Sequence, residues 1–172
     1  MLLLPLLFPA RVLAAGEISD PEFAWRMRQF FFDITPERVN VEPTNEPSKV
    51  FCVVMDWPFR GVMSTLASLS DGTASLYTDK GLGIMGGYSA AKSAKAFVHE
   101  AERNLRYSVV TTSNPYPSSD MVRFYLRTPT ELRVIEEPVS LLLAKKSKFD
   151  PLFAAANQVI HELLEASEKA KR

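Results

Sequence analysis

The sequence predicts an α+β domain: one mainly antiparallel sheet of about five strands with three helices packed around it, in the order α-βββ-α-ββ(β)-α. Three observations carry that expectation. Asp71-Gly72 stands between two strand-like runs, Val62 to Leu69 and Ala74 to Thr78, which is a strong short-range hairpin signal. Met121 to Thr128 alternates with period two, setting Val122, Phe124 and Leu126 on one side and Arg123, Tyr125 and Arg127 on the other, as a strand with one face on a core requires. Ser89 to Leu105, and the chain beyond Asp150, repeat apolar residues at helical spacing.

Taken in order, Ser19-Asp20-Pro21-Glu22 is a helix start, with a capping side chain, a proline at the first helical position and an acid in the first turn. Phe23, Met27, Phe30, Phe31 and Ile34 then make one apolar face. The polar, proline-bearing stretch Glu37 to Lys49 reads as a connector within one domain. Val50 to Asp56 (VFCVVMD) is a continuous apolar run and is expected as a central strand buried on both faces. Trp57 to Gly61 is expected as a turn, and Leu82 to Met85 as one further short strand.

Ser89 is the expected N-cap of the second helix, whose buried stripe is Ala90, Ala94, Phe97, Val98, Ala101 and Leu105. Tyr107 to Thr112 has strand character, Ser113 to Ser119 is a loop, and Glu131 to Glu136 is the hairpin partner of Met121 to Thr128. Pro138 to Lys148 fits a short helix or an edge segment. Asp150-Pro151 repeats the cap-and-proline start of a last amphipathic helix.

The chain has 172 residues, enough for one domain with a real core and few for two, so residues 19–172 are read as a single α+β domain. Residues 1–18 are set apart as an apolar tail or signal-like segment. The run MLLLPLLFPARVLAAG ends in small residues as a cleavage site does, but it lacks a preceding basic residue and is interrupted by Pro5 and Pro9. It is too short to span a bilayer. A cytoplasmic location is expected, with secretion or a periplasmic location if residues 1–15 act as a signal. Lys and Arg balance Asp and Glu at a net charge of zero, so no whole-molecule field gathers nucleic acid or anionic lipid. The single cysteine, Cys52, excludes an internal disulfide and sits in the apolar run as a buried, inert thiol.

Two stretches look like enzyme motifs. Gly81-Leu82-Gly83-Ile84-Met85-Gly86 matches G-x-G-x-x-G, and Gly81, Gly83, Gly86, Gly87 and Tyr88 are the candidate ligand-binding residues, because glycines let phosphate approach a helix N-terminus. The strand feeding that loop belongs to a hairpin, however, and no acidic residue ends the next strand, so a turn needing positive φ is the preferred reading. Tyr88 and Lys92 resemble the Tyr-x-x-x-Lys pair of short-chain dehydrogenases. The chain is too short for that fold, and no catalytic role is carried over. His161-Glu162-Leu163-Leu164-Glu165 lacks the second histidine of a zinc-protease helix. No catalytic residue, metal ligand or cofactor is expected.

The order of helices and strands resembles the roadblock, longin and profilin-like architectures. The segment DGTASLYTDKGLGIMGG, followed by MVRFYLRT and DPLFAAANQVI, is similar to a small family of uncharacterised bacterial proteins. That resemblance covers Val50 to Leu164, rests on structural motifs and implies no activity. What remains as candidate surface is Arg123, Tyr125 and Arg127 on one strand face, and the aromatic turn residues Trp57 and Phe59. The function expected is a small interaction or assembly module rather than an enzyme, acting through a sheet edge or surface on a protein partner or a second copy as a homodimer. The alternative is a small-ligand or nucleotide binder, or an enzyme, using the Gly81–Gly87 loop.

Overall fold

A computed structural model describes residues 21–39, 46, 49–170 and 172. The segment 1–18 and most of the connector lie outside the described residues. The elements are α1 (Pro21–Asp33), β1 (Cys52–Phe59), β2 (Val62–Leu69), β3 (Ala74–Thr78), β4 (Gly83–Gly87), α2 (Ala91–Arg103), β5 (Val109–Thr111), β6 (Met121–Arg127), β7 (Leu132–Pro138), α3 (Val139–Leu143) and α4 (Asp150–Ala170), with 3-10 turns at Pro36–Val39 and Leu105–Tyr107. The strands form one antiparallel sheet of seven in the order β4-β3-β2-β1-β6-β7-β5.

The α+β class and the antiparallel sheet agree with the sequence reading, but the counts need correction. The sheet has seven strands rather than about five, and the described residues form four α-helices rather than three. The additions are short. β4 overlaps the further short strand expected at Leu82 to Met85, β5 lies within the strand-like stretch Tyr107 to Thr112, and α3 lies within the ambiguous stretch Pro138 to Lys148.

β1 occupies the middle of the sheet, and Cys52 through Asp56 are buried on both faces, as a continuous apolar run demands. It continues through Trp57, Pro58 and Phe59, the first three residues expected as a turn. Phe59 pairs with Val62, leaving Arg60 and Gly61 as a two-residue loop at φ 51° and 76°. Positive φ at both positions is the hairpin geometry that matches strand twist. Pro58 is tolerated because pairing with β6 has ended at Asp56, so its missing N–H breaks no ladder on that side.

Helices α2 and α4 cover one face of the sheet. Phe97, Leu152, Val159 and Leu163 interlock there with Met55, Leu66, Ile84 and Phe124. Ser93 Oγ donates to Glu162 Oε1 at 2.6 Å and ties the two helices together. The expected α2 stripe is buried at Ala94, Phe97, Val98 and Ala101, while Ser89 bonds back to the Gly86 carbonyl instead of capping the helix, whose N-cap is Ala90. Helix α1 covers the other face, packing Phe31 and Phe32 over Val54, Tyr77 and Tyr125. Its inward stripe differs from the expected one: Phe30 is 41% exposed, and Arg28 points into the protein in company with Ala24 and Phe31.

A Cβ at Gly86 would collide with the buried Leu163 side chain and press on the Ala74 carbonyl. Gly86→Ala is therefore expected to destabilise by about 1–3 kcal/mol, because a packed core must shift to admit it. Urea denaturation of the variant against wild type measures this, and an unchanged midpoint would show that β4 does not pack as described.

Candidate functional site

The α1 face of the sheet is built in rows that follow from strand register. One row runs Tyr77, Thr65, Asp56, Arg123, Glu136 across β3, β2, β1, β6 and β7. The next runs Ala67, Val54, Tyr125, Val134, Val109, and the third Leu69, Cys52, Arg127, Leu132, Thr111. Helix α1 covers the β3–β1 side of these rows. The loop from Thr112 to Ser119 crosses the middle, and the β7–β5 end stays open.

At the junction of helix, loop and sheet lies a buried ion pair. Arg28 is 2% exposed and Asp56 0%. Arg28 Nε donates to both carboxylate oxygens at 3.0 and 3.2 Å, and Nη2 donates to Oδ2 at 2.6 Å. Thr65 Oγ1 donates to Oδ1 at 2.7 Å. Arg28 Nη2 also reaches the Asn114 carbonyl at 2.6 Å. The rings of Tyr116, Phe32 and Tyr125 stand 4.2, 4.7 and 5.8 Å from the guanidinium carbon, a cage of cation–π contacts. Burial pushes the Asp56 carboxyl above its ordinary value, while the hydrogen bond and charge of Arg28, and then Thr65, oppose it. Both charges are spent on each other and closed to solvent, so the pair is a tie between α1, β1 and the loop and not a reaction centre.

The expected open Arg/Tyr face is corrected by this arrangement. Tyr125 is 1% exposed, and its hydroxyl donates to the Pro115 carbonyl. Arg123 bonds Glu136 and the carbonyls of Pro115 and Tyr116 at 2.9 and 3.2 Å. Arg127 Nη2 donates to the Ile34 carbonyl at 3.2 Å. The row looked solvated because the loop that covers it, Ser113 to Ser119, is polar and far enough away in sequence to hide the contact.

Trp57 is half-buried against Phe59 and Phe153, with centroids 4.9 and 5.1 Å away, and Phe59 is exposed. Gly81 forms a turn at φ 91°, Gly83, Gly86 and Gly87 lie within β4, and Tyr88 is exposed beyond it. Cys52 is fully buried; burial pushes its thiol up to about 12, against a smaller opposing effect of Arg127. Among the described residues no group of three or more His, Cys, Asp or Glu side chains is placed to hold a metal ion, and no helix is long and apolar enough to cross a membrane.

Two clefts open where the loop leaves the sheet. One, of about 270 Å³, lies over Val109, Val134, Tyr125, Arg123 and Glu136 beneath Pro115. The other, of about 320 Å³, lies between the end of α1 and the loop, lined by Phe32, Asp33, Thr111, Thr112, Asn114, Arg127 and Leu132. Sequence reading found Arg123 and Arg127 but missed Arg28, Asp56 and Tyr116. Asp56 did carry a signal: it ends an apolar run in phase with Cys52 and Val54, on a face that must be covered.

Removing either partner of the buried pair leaves an uncompensated charge, so Arg28→Met and Asp56→Asn are each expected to cost about 3–5 kcal/mol. The double variant should cost less than the sum, and a double-mutant cycle by urea denaturation measures that coupling. Because the Cys52 thiol titrates at about 12 in the fold against an ordinary 9.0, its contribution is fully present below pH 9.0 and is lost as pH rises toward about 12. Native protein at pH 8 should accordingly react with a thiol reagent only at its unfolding rate, whereas rapid labelling would place Cys52 at the surface.

Compared with known proteins, the chain matches no family model, no curated protein and no solved structure, so the comparisons lend no support to the expected resemblance to roadblock, longin and profilin-like folds or to a bacterial family.

Proposed function

We propose that this protein is an interaction module that assembles with a second copy of itself through the β5 edge of its sheet. The observation that carries the reading is the contrast between the two sheet ends. β4 and β5 both lack an outer neighbour among the described residues. β4 offers mostly glycine, with little side chain to bury. β5 offers Val109 and Val110, 63% and 55% exposed, with exposed Tyr107 just before them.

A strand edge with two exposed valines and no lysine or proline of its own is the kind that templates another strand. Antiparallel pairing of β5 with its copy about Val110 places Val110 against Val110 and Val109 against Thr111, a self-complementary contact of the type a two-fold dimer needs. A three-residue ladder falls far short of the ~1,000 Å² a stable interface buries, so Tyr107 and the open β7–β5 surface would have to join it.

Size exclusion with light scattering is expected to give a dimer at high micromolar concentration. Val110→Lys should convert it to a monomer while changing unfolding stability by no more than about 0.5 kcal/mol, since the side chain is exposed. A wild-type monomer, or a dimer that survives the substitution, would overturn the reading.

A further inference from the structure

The arginines around the open end of the sheet do not all have the same company. Arg28 pairs with Asp56, Arg123 with Glu136, and Arg133 with Glu131. Arg127 is half-buried and, among the described residues, has no carboxylate partner. Among the described residues its hydrogen bond goes to the Ile34 carbonyl, and its Nε is buried with no acceptor. A guanidinium carries five N–H donors, and those on the Nη atoms left unpaired by the Ile34 contact are open to an incoming carboxylate.

This arginine lines the cleft of about 320 Å³, at the small end of the range for ligand sites. The same cleft holds a second charge of opposite sign, Asp33, which is exposed. Phe32 and Leu132 give it apolar wall, and Thr111, Thr112 and Asn114 give it polar atoms able to donate or accept. The formal charges of the lining cancel. A phosphate or dicarboxylate would meet Asp33 unfavourably, and a bare amine would meet Arg127. A molecule bearing one carboxylate and one ammonium satisfies both.

We propose that this cleft binds a small zwitterion of the amino-acid type, its carboxylate on Arg127 and its ammonium toward Asp33. The competing account is that Arg127 serves only as a cap on the chain leaving α1, where a cation is favoured by the helix dipole. That role uses one of its five donors and gives Asp33 nothing to do. The cleft is formed within one chain and does not require pairing at β5, although Thr111 of β5 and Leu132 of β7 border both surfaces.

The test uses the full chain in thermal shift and calorimetry against free amino acids, with their N-acetyl and amide derivatives as probes that lack one charge each. At least one free amino acid is expected to raise the melting temperature in a dose-dependent way, because binding to the folded state alone stabilises it. Both derivatives should lose that effect. Asp33→Asn, an exposed change that leaves the core intact, should weaken the free amino acid about tenfold, and Arg127→Met should abolish its effect. No shift with any free amino acid, or a shift that Asp33→Asn leaves unchanged, would overturn the proposal even if Arg127→Met fails to fold.

Discussion

The Arg28–Asp56 pair is the constraint on which the α1 face depends. An aspartate in the middle strand of a sheet, closed to water on both faces, cannot stand there unpaired. Arg28 answers it from α1, and in doing so fixes which side of that helix turns inward. The helix then delivers Phe31 and Phe32 to the sheet, and the second N–H of Nη2 draws in the Asn114 carbonyl. Tyr116 follows as a lid on the cation. Helix, strand and loop are thus held by one hydrogen-bonded charge pair in an apolar setting. Such a pair contributes position more than net stability, because desolvation offsets much of its attraction.

That tie also divides the molecule. Over β3, β2 and β1 the sheet is covered by α1, and on its opposite face by α2 and α4. At the β7–β5 end the α1 side has only the rim of the loop above it. Apolar side chains of the second row, Val134 and Val109, come progressively into the open there, and the two clefts lie beside them. The exposed valines of β5 and both clefts are gathered where the covering elements run out. Charge is distributed accordingly: Arg123, donating to Glu136 and to the Pro115 and Tyr116 carbonyls, braces the loop, while Arg127 donates to the Ile34 carbonyl and leaves its buried Nε without an acceptor.

Much of the framework was legible in the sequence because it is written in local periodicity. β2 and β3 fall where the residues flanking Asp71-Gly72 place them, β6 where alternation places it, and α4 starts at its Asp-Pro pair. What stayed hidden depends on partners distant in sequence. Arg28 on a helix with exposed Phe30 reads as outer-face charge until Asp56, 28 residues away, is brought beneath it. Tyr125 reads as a solvated face residue until Pro115 folds over it, and Phe30 reads as core because nothing local distinguishes it from Phe31. β4 and β5 were the hardest elements to fix, since edge strands of glycine or of three residues carry too little pattern.

The position of β1 has a consequence for how the chain comes together. On one side it pairs with β2 across a two-residue loop; on the other it pairs with β6, so that Val54 faces Tyr125 only after α2 and three further strands have been threaded. Closing the first contact is fast and the second is slow, because distant pairing must overcome a larger loop entropy. Any chain in which the β1–β4 meander has formed ahead of β6 therefore carries VFCVVM as an open, apolar edge with no charge to repel a neighbour. Lys49 and Asp56 flank that run, so the aspartate that anchors the folded protein is also one of the two charges bounding its most pairing-prone segment.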